Sequence, residues 1–198
     1  MQDWPEIGDS FLKAGPNWKA DALFDSSGDW FLSYALSYKI AADAVVDGVE
    51  ADRLSADSVS FAVLSLYRHY LEVMFKGLIK IGRTLHERNS DYPNNEHRLL
   101  RLWQQCRPLL EKSSSDFEKS ELDVVENCIT ELHNVDPGGA ASRYGEHKDG
   151  SPTFPKRVQL SLTNVRDIMQ KLAAFLEGSY DWLDELLQCQ ADADSESF

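Results

Sequence analysis

From Val59 to Gly82 the chain is apolar around most of a helix's circumference, a pattern that suits only the centre of a packed structure. In the middle of that stretch stands Tyr67-Arg68-His69-Tyr70-Leu71-Glu72. Ionisable groups among core-forming residues cost free energy unless they are paired. Arg68 and Glu72 lie one helical turn apart and are expected to pair at the margin of the core. At 100° per residue, Ser58, Ala62, Ser65, His69, Lys76, Lys80 and Arg83 form one mostly polar stripe, with Glu72 beside it. The spacing predicts a helix from Asp57 or Ser58 to about Gly82.

Other helices follow from the same three- and four-residue spacing. Trp30/Phe31, Tyr34/Ala35, Tyr38, Ala41/Ala42, Val45 and Val49 give a first helix, with Asp29 as N-cap and Gly48 near its end. A third, roughly Glu96 to Arg107, buries Leu99, Leu100, Trp103 and Cys106 and is disrupted at Pro108. Ser115-Asp116-Phe117-Glu118 is a capping box opening a fourth, whose apolar face is Phe117, Val125, Cys128, Leu132 and Val135. A last helix runs from about Val158 to Gln188, with Val165, Ile168/Met169, Leu172, Phe175/Leu176 and Leu183 inward and Gly178 loosening it. The fold class is all-α, a bundle of about five helices. Its expected division is an irregular aromatic arm packed on the bundle (1–28, with Trp4, Trp18 and Phe24), the bundle itself (29–190) and an acidic mobile tail (191–198).

Several function classes are excluded by composition. No apolar run reaches about 18 residues, so no membrane span is expected. An acidic N-terminus without a basic, apolar leader, and three widely spaced cysteines (Cys106, Cys128 and Cys189), point to the cytoplasm and to reduced core thiols. No zinc spacing, phosphate loop or nucleophile elbow is present, so no metal or cofactor is expected. A net charge of −13 opposes unaided, non-specific nucleic-acid binding. Between Arg68 and Lys112, however, nine Lys/Arg stand against five Asp/Glu, a local basic excess.

Two readings of the central helix stay open. His69, Glu72, Arg68 and Lys76 form a polar pocket that receives an anion, or Arg68–Glu72–Lys76 is an intrahelical network holding the helix in register. His97 is expected to serve local structure or contact this cluster, and His133 to make a capping or dipole contact. The Gly- and Pro-rich stretch from Asp136 to Pro155 is long for a structureless loop, and function is one usual reason.

Three motifs together carry a family resemblance: Tyr67-Arg68-His69-Tyr70-Leu71-Glu72, His97-Arg98-Leu99-Leu100-Arg101-Leu102-Trp103, and Ser142-Arg143-Tyr144-Gly145-Glu146-His147-Lys148-Asp149-Gly150. Across roughly Asp29 to Gln188 the chain resembles HEPN-like (higher eukaryotes and prokaryotes nucleotide-binding) helical proteins of prokaryotes. The resemblance implies an antiparallel bundle, a homodimer with a polar groove at its interface, and an RNA or nucleotide ligand. Many members are metal-independent ribonucleases of toxin–antitoxin and phage-defence systems; others are silent and bind partner proteins. It also implies an Arg…His catalytic pair near the last core helix. The nearest match is Arg143 with His147, three residues between them and Tyr144 directly after the Arg. Arg143 would contact phosphate and His147 transfer a proton, with Arg68, His69, Glu72, Lys76, His97 and Tyr144 lining or supporting the site. The competing expectation is a catalytically silent, acidic interaction module that dimerises or docks on a partner protein.

Overall fold

The computed structural model describes residues 4, 7, 10, 14–23, 30–114, 119–139, 146, 149–152 and 157–195. Among these are five α-helices and no strand: α1 (Trp30–Glu50), α2 (Ala56–Glu87), α3 (Leu99–Ser113), α4 (Lys119–Val135) and α5 (Leu162–Ser195). The fold is an all-α helical bundle. Phe24, the Asp29 cap, the Ser115–Glu118 capping box, Arg143, Tyr144 and His147 lie outside the described residues.

The chain divides into two compact units, 1–30 and 31–198. In the first, Trp18–Ala20 forms one 3₁₀ turn, capped where Asn17 Oδ1 accepts the Lys19 N–H at 3.3 Å. The described apolar side chains Trp4, Ile7, Trp18 and Leu23 are exposed.

In the second unit α2 is the central element, as its composition requires. From Tyr70 to Ile79 every residue is buried, so the helix has no solvent face there. Helices α3 and α5 pack along it, and α4 packs along α3. Two glycines permit this closeness. A Cβ on Gly77 would lie 2.8 Å from Tyr180 Cε2 and 3.0 Å from Phe31 Cβ, and one on Gly82 would lie 2.9 Å from Leu109 Cβ. Trp103 is fully buried, its ring 5.7 Å from that of Phe75.

Several boundaries differ from those the spacing predicts. Helix α2 continues past Gly82 to Glu87 because its last turns are tied to the following chain. Arg83 donates to the Asp91 carbonyl (3.2 Å) and to Gln105 Oε1 (3.1 Å), and His86 Nε2 meets Ser113 Oγ at 2.7 Å. Arg88 then turns left-handed at φ 52° and ends the helix. Helix α3 begins at Leu99 because the Glu96 carboxylate accepts the N–H groups of His97 and Arg98 instead. It also passes through Pro108, where an end was expected. An internal proline costs about 3 kcal/mol, and burial of Leu109 and Leu110 beyond it offsets that loss.

On α4 the buried stripe is Leu122, Val125 and Ile129, whereas the expected Cys128, Leu132 and Val135 are only half-buried. Helix α5 starts at Leu162 and continues to Ser195, so the expected tail is helical through that residue, where Asp194 pairs with Arg88 at 3.0 Å. Gly178 does not interrupt it. Nothing lies within 4 Å of a Cβ placed there, so Gly178→Ala removes backbone entropy without a clash. Its expected effect is stabilisation of about 0.5–1 kcal/mol, seen as a higher urea midpoint at unchanged slope.

Candidate functional site: a buried ionic network with a surface histidine

Successive side chains on α2 are turned by about 100°, so Tyr67-Arg68-His69-Tyr70 reaches several neighbours. Tyr67 donates to Asp43 Oδ1 on α1 at 2.5 Å, and Tyr70 donates to Glu177 Oε1 on α5 at 3.1 Å. Burial, with Glu177 beside it, pushes the Tyr70 phenol up and keeps it a donor. His69 sets its ring edgewise on Tyr38 of α1, centroids 4.3 Å apart. It therefore packs on α1 instead of joining the Arg68 cluster it was expected to share.

Arg68 points toward α3 and the end of α4. It is 4% exposed and donates to Glu72 Oε2 (3.2 Å), the Asp136 carbonyl (3.4 Å) and the His97 carbonyl. The Asp136 carboxylate stands 3.7 Å from its Nε. Gly139, at φ 75°, lies so close that a Cβ there would come within 2.5 Å of Arg68 Nη1. The root of the Asp136–Pro155 loop is thus seated on the guanidinium. One turn along α2, Lys76 donates to Glu72 Oε1 (3.0 Å) and to the Asn94 carbonyl (3.1 Å).

Glu72 is the hub, with both oxygens engaged and 4% exposure. Burial opposes its charge, but donors from His97 and Lys76 outweigh that and hold its carboxyl below the usual range. The intrahelical network Arg68–Glu72–Lys76 therefore exists, extended by Asp136 and by loop carbonyls. Two cations against two carboxylates leave this cluster close to neutral.

His97 completes it from outside. Its Nδ1 lies 2.8 Å from Glu72 Oε1, while the side chain is 58% exposed. With Nδ1 donating to the carboxylate, the neutral ring keeps Nε2 as its basic nitrogen. A buried carboxylate that fixes the tautomer and orientation of an accessible imidazole is the arrangement a general base needs. Nearby, His133 stands in the last turn of α4, and its Nδ1 is buried and unpartnered among the described residues. Burial, then Arg68 and Arg98, push its basicity down.

The structure brings Arg68, Glu72, Lys76 and His97 together and sends His69 elsewhere. Asp136 and Gly139 were missed. The signal for Asp136 was a lone acid at the helix end opposite a buried arginine, and pairing it required the tertiary fold. Much of the local basic excess is paired, although Arg101 and Lys112 are exposed. Arg107 is held by Glu111, Asp123 and Glu126 (2.9, 2.7 and 2.6 Å), Arg98 by Glu96, and Arg88 by Asp194. Lys80 lies over the Phe31 ring, 5.4 Å from its centroid. The three cysteines are free, with Cys106 buried and its thiol pushed up by that burial.

The fold and this site define an all-α bundle organised around a buried ionic network that presents one carboxylate-held histidine. No family model, curated protein or solved structure matches the chain. No helix among the described residues is long and apolar enough to cross a membrane.

Proposed function

We propose that the chain is a HEPN-like, RNA-directed component of a prokaryotic defence or toxin–antitoxin system, acting as a metal-independent ribonuclease. The observation that carries this reading is the His97–Glu72 pair at the root of the loop bearing Arg143 and His147. In the proposed step His97 Nε2 takes the proton from a ribose 2′-hydroxyl, whose oxygen attacks the adjacent phosphorus. The P–O5′ bond breaks, leaving a 2′,3′-cyclic phosphate. Arg143 neutralises charge on the phosphorane, and His147 gives a proton to the departing 5′-oxygen. Glu72 stabilises the His97 imidazolium formed, and Arg68 positions the loop through Asp136 and Gly139. A homodimer would bring two such sites to one groove.

A second reading, the catalytically silent interaction module, is supported by the net charge of −13 and by cations neutralised within the fold. Incubation of the full chain with structured and unstructured RNA in EDTA separates the two. Cleavage is expected, reduced about 10²–10⁴-fold by His97→Ala and by His147→Ala, with 2′,3′-cyclic phosphate ends. No cleavage of any RNA class would make the silent module the reading to pursue. Cleavage unaffected by His97→Ala would remove His97 from the mechanism.

A further inference from the structure

An apolar groove of about 300 Å³ is lined by α4, α5, Leu64 of α2 and the segment 158–160. It exists because α4 packs on α3 and α5 on α2, while α4 and α5 make no comparable approach to each other. Each wall is a helical stripe left half-buried: Cys128, Leu132 and Val135 on α4, Val165 and Ile168 on α5. A second hollow of about 210 Å³ shares Leu64, Val158 and Leu160 with it and extends toward the exposed Phe61. Apolar stripes at helical spacing are normally covered, and an amphipathic helix docks on such a seam through a few apolar anchors.

The groove's charge selects among helices. Its charged lining residues are Glu131 in the main hollow and Asp57 in the second, and neither makes an ion pair among the described residues. Among the described residues no cation lines either hollow. We propose that this seam is a docking site for a basic amphipathic helix of a partner protein, with apolar anchors between α4 and α5 and cationic flanks toward Glu131 and Asp57. The site is separate from the His97–Glu72 pair and goes beyond the ribonuclease reading. It stands whether or not RNA is cleaved.

The probe is a labelled peptide of about 18 residues with leucines on one helical face and lysines on the other, titrated into the full chain at physiological salt. Its controls are a scrambled peptide of the same composition and a glutamate counterpart. The amphipathic basic peptide is expected to bind at least about tenfold more tightly than either control. Ile168→Glu should weaken it by a further factor of about ten, and Glu131→Lys, a surface change that leaves the fold intact, by about three to ten. Binding should also slow alkylation of Cys128 while leaving the exposed Cys189 unchanged, which locates the peptide without any substitution. Equal binding of the scrambled peptide, or an unprotected Cys128, would overturn the proposal. Protection of Cys128 by the protein's own concentration, with dimers in sedimentation velocity, would overturn the choice of occupant in favour of a second copy.

Discussion

Glu72→Ala is expected to destabilise the protein by about 3–5 kcal/mol, the range for removing one partner of a buried ion pair. Arg68 and Lys76 would remain 4% and 8% exposed, with their shared carboxylate gone. Lys76 would keep the Asn94 carbonyl, and Arg68 would keep Asp136, so the loss falls on the charges more than on the hydrogen-bond count. Glu72→Gln should be milder, because an amide still accepts from one donor. The pH dependence follows from the direction of the shift. The Glu72 carboxyl is held below its ordinary value in the folded protein. Its contribution is therefore complete above the unfolded value of about 4.3 and is lost as pH falls through the lower folded one. Urea unfolding of the native protein and Glu72→Gln should show a gap that persists from pH 7 down to about 5 and closes only in stronger acid. A gap already closing near neutrality would assign the stabilisation to a group other than this carboxylate.

Trp103→Ala is expected to cost about 3–5 kcal/mol, through lost burial and the cavity left behind. The indole is fully buried against Phe75, and its Nε1 donates to Glu126 Oε2 at 3.2 Å. The same Glu126 oxygen accepts from Arg107 at 2.6 Å, so one side chain joins α2, α3 and α4. Trp103→Phe keeps most of the apolar area and loses the hydrogen bond. A cost of about 1–2 kcal/mol is expected for it, and the difference between the two variants measures the packing. Urea midpoints read by far-UV circular dichroism give both values. If Trp103→Ala unfolds with the native midpoint, α3 does not depend on this contact for its place.

Much of this architecture was legible from spacing alone. The apolar continuity of α2 placed it at the centre, and the i, i+4 spacing of Arg68, Glu72 and Lys76 announced the ionic network. Local rules failed where packing overrode them. Pro108 lies inside α3 because buried leucines beyond it outweigh one missing hydrogen bond. Helix α2 runs past Gly82 because its final turns are tied to the Asp91 carbonyl, Gln105 and Ser113. His69 was placed with Lys76 on one polar stripe and read into a shared pocket, but its ring packs on Tyr38 of α1.

The periodicity of apolar residues by itself determined an all-α chain with a central helix carrying a charge network, because helical spacing and the need to pair buried ions are local properties. Only the tertiary structure decided how that network is completed. Asp136 and Gly139 reach Arg68 from 68 and 71 residues away, and the His97 ring is set on Glu72 from 25 residues away, distances over which a sequence pattern carries no register. The groove between α4 and α5 was decided in the same way. Each helix displays its apolar stripe in the sequence, but whether two stripes meet or stay apart depends on which third helix each one packs against.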